Sequence, residues 1–173
     1  MEMIFHTQNS LETVRLGKRI GRLLQPGDVV ALVGELGTGK THLIKGLAAG
    51  AGIKKSSQVS SPSFTFVHEY PGKVPFYHID LYRLNSEKEA EGLGLEEVLG
   101  SFGITAIEWA DKISSWLPEE RLLVRLSYAG EHSRSIEILG SGKHFEEILE
   151  SLSAEGEGDP EEENWPGSGF VRR

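Results

Sequence analysis

The feature that most constrains this chain is a glycine-rich loop that follows an apolar, β-branched run at residues 29–33. The loop fits the pattern G-x-x-x-x-G-K-[ST], with Lys40 and Thr41 as its last two residues. Its glycines allow successive N–H groups to turn inward onto an anion, and a helix predicted to run through Gly50 adds its own unpaired N–H groups there. The pattern predicts a strand, a phosphate-binding loop and a helix, and therefore a nucleoside triphosphate site. The predicted nucleotide-binding residues are Gly34, Glu35, Leu36, Gly37, Thr38, Gly39, Lys40 and Thr41.

Two side chains of this loop have predicted roles of their own. Lys40 supplies a positive charge for the β- and γ-phosphates, and the Thr41 hydroxyl is placed to bind Mg²⁺. A triphosphate enzyme also needs a carboxylate for the metal or its waters, and a group that positions the attacking water.

Length and composition bound the class of protein. A chain of 173 residues accommodates one domain with a full core. The absence of cysteine excludes disulfides, thiolate metal sites and cysteine nucleophiles. The N-terminus does not resemble a signal peptide, and the apolar runs are shorter than a membrane span. We therefore expect a cytoplasmic protein that has no membrane partner.

The negative charge is concentrated at one end of the sequence. Residues 144–173 carry a net charge of −7, and residues 1–143 carry −1. A nearly neutral body is unlike a nucleic-acid-binding domain, so contact with RNA is expected to run through a partner. We predict a folded domain at residues 1–152 and a flexible acidic tail, rich in Gly, Pro and Glu, at residues 153–173.

Hydrophobic periodicity predicts one α/β domain with three layers: a largely parallel central sheet, helices on both faces and antiparallel hairpins at the edges. Strands are predicted near residues 4–6, 29–33, 64–70, 74–81, 104–107, 122–127 and 135–139. Helices are predicted for residues 9–25, from the loop to residue 50, and for residues 87–99, 110–116 and 145–152. Asn9 and Glu12 have the spacing of a capping box at the start of the first helix.

Two carboxylates are candidates to complete the site. Glu108 ends the apolar strand at residues 104–107, at the edge of a parallel sheet where ligands gather, and would bind the metal with Thr41. Its alternative is a solvated carboxylate at a strand end. Asp80 interrupts an apolar strand, which is costly unless it faces a cation or hydrogen-bond donors. Its alternative is a structural ion pair with Arg83.

Other polar and aromatic residues leave their roles open. The segment after the loop helix contains the hydroxyls of Ser60, Ser61, Ser63 and Thr65. In switch-type nucleotidases this segment brings a hydroxyl to the metal and the γ-phosphate, and the alternative is an ordinary hydroxyl-rich turn. Trp109 forms a wall of the site or fills the core. His68 and His78 are interpreted as strand residues rather than ligands. Three residues are candidates to close over the base, with no pattern that decides among them: Thr7, Ser10 and Arg134.

Together these segments resemble the TsaE family, formerly YjeE, of bacterial P-loop ATPases required to make threonylcarbamoyladenosine in tRNA. The resemblance covers about residues 5–140, in matching order and spacing. Its motifs are the phosphate-binding loop and the segments at 26–28, 61–64, 78–84, 94–97 and 107–109. The phosphate-binding loop alone is common to many families. The segments His-x-Asp-x-Tyr-Arg-Leu at 78–84 and Glu-Trp at 108–109, in this order, are specific to the TsaE family. Ser63 stands where the family usually has Thr, and the acidic tail lies outside the family pattern.

The resemblance implies specific site roles. Lys40 and the loop amides would bind the phosphates of ATP or ADP, and Thr41 and Glu108 would bind Mg²⁺. Asp80 would be essential to catalysis, ordering the attacking water or a metal-bound water. It also implies weak ATP hydrolysis by the chain alone, coupled to the threonylcarbamoyl transferase TsaD and its partner TsaB, which act on the tRNA.

Three other functions compete with this one. A signalling GTPase would need an N-K-x-D segment, and the sequence has none. A P-loop small-molecule kinase would need an acceptor pocket and usually a basic lid, and the arginines form no evident cluster. A non-enzymatic adapter that uses bound nucleotide only as a switch would differ from a slow ATPase mainly in its rate of hydrolysis, which the sequence does not distinguish.

Overall fold

A computed structural model describes residues 1–62 and 64–155 and the backbone of residues 171–172. The strands are β1 (Glu2–Thr7), β2 (Val29–Gly34), β3 (Val67–Tyr70), β4 (Phe76–Asp80), β5 (Ile104–Glu108), β6 (Arg121–Tyr128), β7 (Arg134–Ser141) and β8 (Val171–Arg172). The α-helices are α1 (Ser10–Leu23), α2 (Lys40–Gly50), α3 (Leu95–Leu99) and α4 (Lys143–Glu155). Short 3₁₀ helices span Ser56–Gln58, Glu87–Gly92 and Ala110–Trp116.

The described strands form one sheet in the order β3-β4-β5-β2-β6-β7-β1-β8. The central neighbours β4, β5, β2 and β6 pair in parallel. The outer pairs, including the hairpins β3–β4 and β6–β7, are antiparallel. The predicted parallel centre and antiparallel edge hairpins are confirmed.

Each face of the sheet carries its own hydrophobic core, which gives the three predicted layers. On one face, α1, α2 and α4 pack on alternate strand residues, among them Leu32 and Val124. On the other face, α3 and the 3₁₀ helices Glu87–Gly92 and Ala110–Trp116 pack on residues such as Ala31 and Ile107. Alternate residues of a buried strand point to opposite faces, so β2 contributes to both cores.

The first helix begins as its sequence predicts. Asn9 caps α1, its Oδ1 accepting from the Glu12 N–H at 2.9 Å. The reciprocal bond runs from the Gln8 N–H to Glu12 Oε2, one residue before the usual position in a capping box. This cap fixes the start of the helix that packs against α2.

Two predicted elements are interrupted by left-handed backbone. The hairpin strand expected from residue 64 begins only at Val67, because Phe66 has φ 62° and its N–H bonds to the Pro62 carbonyl in a turn. The helix predicted over residues 87–99, in a sequence interrupted by Gly92 and Gly94, is divided into two shorter helices. Gly94, at φ 68°, separates the 3₁₀ helix Glu87–Gly92 from α3.

Most of the expected tail lies outside the described residues. Within it, α4 continues to Glu155, and Val171–Arg172 pairs with β1. The division into a domain at 1–152 and a flexible tail at 153–173 stays a prediction. In the described part of the chain, none of the helices combines the length and apolar content needed to cross a membrane.

Candidate nucleotide-binding site

The register of the parallel strands brings two acidic residues together. Asp80 lies directly opposite Glu108, and each is the last residue of its strand. On the other side of β5, β2 ends in Gly34, where the glycine-rich loop begins. The carboxyl ends of parallel strands share one edge of a sheet, so this edge collects the loop and both carboxylates.

The loop is closed on itself by the Lys40 side chain. Lys40 Nζ donates to the carbonyls of Gly34 and Glu35, both at 2.7 Å. The fully buried Thr38 adds a bond from its hydroxyl to the Glu35 carbonyl at 2.8 Å. The lysine at the start of α2 therefore sits inside the loop, where a phosphate chain would lie.

Burial and nearby carboxylates act in opposite directions on the pKa of Lys40. The side chain is 4% exposed, and this burial lowers the pKa of the ammonium below its ordinary value. Three carboxylates oppose part of that shift: Glu108, Asp80 and Asp111. An anionic ligand beside Nζ would add to their effect and stabilise the ammonium, so the loop favours an anion.

Glu108 is held by two partners, one for each oxygen. The Thr41 hydroxyl donates to Oε1 at 2.9 Å, and Nε2 of His78 bonds Oε2 at 2.8 Å. An ionised carboxylate only accepts, so Nε2 of His78 is the donor in this bond, and the other ring nitrogen is Nδ1. Within the described residues this buried Nδ1 has no hydrogen-bond partner. Because Oε2 is bonded to His78, the other oxygen, Oε1, faces Thr41 at the start of α2.

Asp80 is bonded through both of its oxygens. The Ser61 hydroxyl donates to Oδ2, and the Tyr82 N–H donates to Oδ1 at 2.9 Å. Arg83, the alternative partner suggested by the sequence, lies instead over the ring of Phe64 at 4.3 Å. Asp80 therefore connects the end of β4 to the segment that follows the loop helix.

Trp109 forms a wall of this site. Its ring centre lies 4.2 Å from Lys40 Nζ and 5.2 Å from that of Tyr82. Its backbone is left-handed, with φ 59°, a conformation that costs a non-glycine residue on the order of 1 kcal/mol. This turn places the indole beside the loop immediately after Glu108.

These side chains surround a cavity of about 360 Å³. Its lining includes Lys40, Thr41, Asp80, Glu108 and Trp109. A smaller cavity of about 100 Å³ lies on the other side of the loop tip and shares Gly37, Gly39 and His42 with the first. The larger cavity is lined by the charged side chains, and the smaller cavity adjoins it at the same loop.

Comparison with known proteins identifies the family. The model described as Threonylcarbamoyl adenosine biosynthesis protein TsaE matches residues 7–136. The chain belongs to the TsaE family. A Bacillus subtilis relative named tRNA threonylcarbamoyladenosine biosynthesis protein TsaE is 40% identical over 153 residues, 88% of this chain and 94% of the relative. A Treponema pallidum protein of the same name is 37% identical over 132 residues, covering 76% and 96%.

A solved structure agrees with the fold. The crystal structure of Bacillus subtilis YdiB matches with a TM-score of 0.74 at 35% identity, covering 89% of this chain and 95% of that one. The TsaE resemblance predicted from the sequence motifs is thereby confirmed.

Several of the side chains that the sequence singled out lie close together in the structure, and His78 contacts one of them. The structure places Lys40, Thr41, Asp80 and Glu108 around one cavity. Ser61 reaches Asp80, Thr65 is exposed, and Ser63 lies outside the described residues. His78, interpreted only as a strand residue, contacts Glu108. Its position two residues before Asp80, on the same face of β4, is the signal that could have placed it there.

Proposed function

We propose that this chain is a Mg²⁺-dependent ATPase that acts in the cytoplasm in the threonylcarbamoyladenosine modification of tRNA. The observation that carries the proposal is the 2.9 Å contact of Thr41 Oγ1 with Glu108 Oε1, beside Lys40 and Asp80. It places a hydroxyl and a carboxylate together at the mouth of a phosphate-binding loop, as phosphoryl transfer requires. The description of the matching family supports the pathway.

The residues fit a magnesium ion. Thr41 and Glu108 offer hard oxygen ligands, which Mg²⁺ prefers. No group of three His, Asp or Glu side chains in the described part of the chain forms a metal site by itself. That agrees with an ion held by one or two protein oxygens, water and nucleotide phosphates. When bound, Mg²⁺ would neutralise charge that develops on the β- and γ-phosphates.

Lys40 would exchange its partners when ATP binds. In the structure its ammonium is satisfied by the carbonyls of Gly34 and Glu35. A phosphate oxygen makes a stronger, charge-assisted hydrogen bond than a neutral carbonyl does. The buried ammonium would therefore turn to the β- and γ-phosphates, while the loop N–H groups hold the rest of the phosphate chain.

Asp80 would order the attacking water or a water on the metal. Each of its oxygens accepts one hydrogen bond, from Ser61 or from the Tyr82 N–H, and each can accept another from water. A rearrangement of the segment that carries Ser61 would remove one of these bonds and let the carboxylate turn toward a water at the γ-phosphate. This supports slow hydrolysis by the chain alone and faster hydrolysis when a partner moves that segment. We propose the TsaB–TsaD transferase complex as that partner, with ATP hydrolysis driving or resetting it.

Any contact with tRNA would run through this complex. Residues 1–143 have a net charge of −1, and strong binding of a phosphate backbone requires a concentration of Lys and Arg. The chain would supply the nucleotide-driven step, and the transferase would supply the surface that holds tRNA.

The first test is phosphate release from ATP and from GTP by the purified chain. We expect slow release from ATP that requires Mg²⁺ and does not change when small hydroxylated metabolites are added. The same preparation with a chelator is the control for the metal. Transfer of phosphate to a metabolite, with little release to water, would contradict the proposal and indicate a small-molecule kinase.

A further inference from the structure

The tip of the glycine-rich loop is held from outside by the β6–β7 hairpin. Tyr128 and Arg134 are directly opposite each other in this ladder, and the guanidinium lies 4.5 Å from the tyrosine ring centre. The Tyr128 hydroxyl donates to the Leu36 carbonyl at 2.7 Å. Arg134 donates from Nε to the Thr38 carbonyl at 3.1 Å and from Nη2 to the Gly37 carbonyl at 3.4 Å. One cross-strand pair therefore binds three consecutive carbonyls.

These bonds fix the direction of the loop N–H groups. The C=O and N–H of a trans peptide point in opposite directions, so carbonyls turned toward the hairpin aim the next N–H away from it. The peptides after Leu36 and Thr38 direct the N–H groups of Gly37 and Gly39 in this way. Both glycines line the larger cavity. The hairpin thus orients two of the donors that would face a phosphate.

The positive φ of residue 37 favours glycine, and the close approach of Tyr128 to this position favours it further. A Cβ added to Gly37 would lie 2.7 Å from the Tyr128 hydroxyl oxygen, and the residue has φ 80°. Tyr128 is 47% exposed, so its position is explained by the loop rather than by burial in the core. The small residue at position 37 of the loop therefore makes room for the tyrosine at position 128 of the hairpin.

The hairpin contacts can persist when the loop is occupied, whereas the Lys40 contacts cannot. Lys40 holds the carbonyls of Gly34 and Glu35, and it would leave them to reach a phosphate. Tyr128 and Arg134 bind the outer side of the loop and are free to stay. The shape of the occupied loop therefore depends more on the hairpin than the shape of the empty loop does.

We propose that Tyr128 and Arg134 are positioning residues that hold the loop in its phosphate-binding shape and so set the affinity for the phosphate chain. The inference rests on the proposed nucleotide binding. Arg134 also lines the smaller cavity with Ser10, His42 and His132, where it could instead contact a nucleoside. A ligand without a nucleoside separates the two roles.

The test is calorimetric binding of ADP and of inorganic tripolyphosphate to the full chain and to three variants. Arg134→Ala is expected to weaken the binding of both ligands by the same factor, about tenfold or more, because the charged hydrogen bonds from the guanidinium to the loop carbonyls of Gly37 and Thr38 are lost. Tyr128→Phe keeps the ring under Arg134 and removes only the hydroxyl, so we expect a smaller loss of affinity for both ligands. Arg125→Ala is the matched control, since this arginine of β6 bonds Glu137 on the exposed side of the same hairpin.

Thermal unfolding separates positioning from a general loss of structure. Arg134→Ala and Arg125→Ala are expected to unfold at similar temperatures although only the first loses affinity. If Arg134→Ala does not fold, Tyr128→Phe and Arg134→Lys provide the same comparison. Wild-type affinity for tripolyphosphate in Arg134→Ala and Tyr128→Phe, with or without a loss for ADP, would overturn the inference. A wild-type chain that bound neither ligand would overturn the proposed nucleotide binding itself, and the inference with it.

Discussion

Replacing Lys40 by alanine is expected to abolish nucleotide binding while the chain still folds. The buried ammonium is the positive charge inside the loop, and hydrogen bonds to charged groups are worth about 1.5–3 kcal/mol each. Losing two or more of them should lower the affinity for ATP and ADP at least about 100-fold. Calorimetric titration with ADP measures this loss directly, and the unfolding temperature reports on folding.

Lys45→Ala is the matched control for this variant. Lys45 lies in the same helix but outside the lining of the cavity. Its replacement should leave the affinity for ADP close to that of the unmodified chain. If Lys40→Ala bound ADP as tightly as Lys45→Ala does, the phosphates would not lie in this loop and the site would be misassigned.

Replacing Asp80 by alanine is expected to leave nucleotide binding largely intact and to remove turnover. Asp80 lies beside Glu108 at the edge of the sheet, while Lys40 and the loop amides supply the phosphate contacts. Loss of a group that orders or activates water typically lowers the rate 10²–10⁴-fold, so a fall in kcat of at least about 100-fold is expected. Calorimetric binding of ADP and steady-state release of phosphate distinguish the two effects.

Asp80→Asn refines this test. The amide oxygen can still accept from the Tyr82 N–H, so the local backbone is kept while the negative charge is lost. Turnover should fall in Asp80→Asn as it does in Asp80→Ala. Normal turnover in both variants would show that the catalytic assignment is wrong, even if binding in the loop were established.

The sequence predicts those parts of the site whose residues are close together in the chain. The loop pattern runs through adjacent residues, and its strand and helix are coded by local hydrophobicity. Glu108 was placed at the site because an apolar strand ends there. Its proximity to Asp80 is set by the pairing of β4 with β5, and no residue pattern states which strands become neighbours.

Two of the contacts that the sequence did not predict join residues far apart in the chain. His78 in β4 reaches Glu108 in the neighbouring strand β5, 30 residues further along the chain. Tyr128 reaches a loop carbonyl 92 residues away. Local breaks were also missed, since the left-handed turn at Phe66 runs against the usual preference of a bulky residue and ends a pattern that otherwise alternates like a strand.

We propose that ATP hydrolysis at this site serves a transferase complex that modifies tRNA. Phosphate release from ATP should be measured for the chain alone, then with purified TsaB–TsaD complex, then with tRNA added. We expect slow release by the chain alone, a marked increase with the complex, and loss of that increase in Asp80→Ala. A rate that did not respond to the complex or to tRNA would show that hydrolysis does not serve this complex.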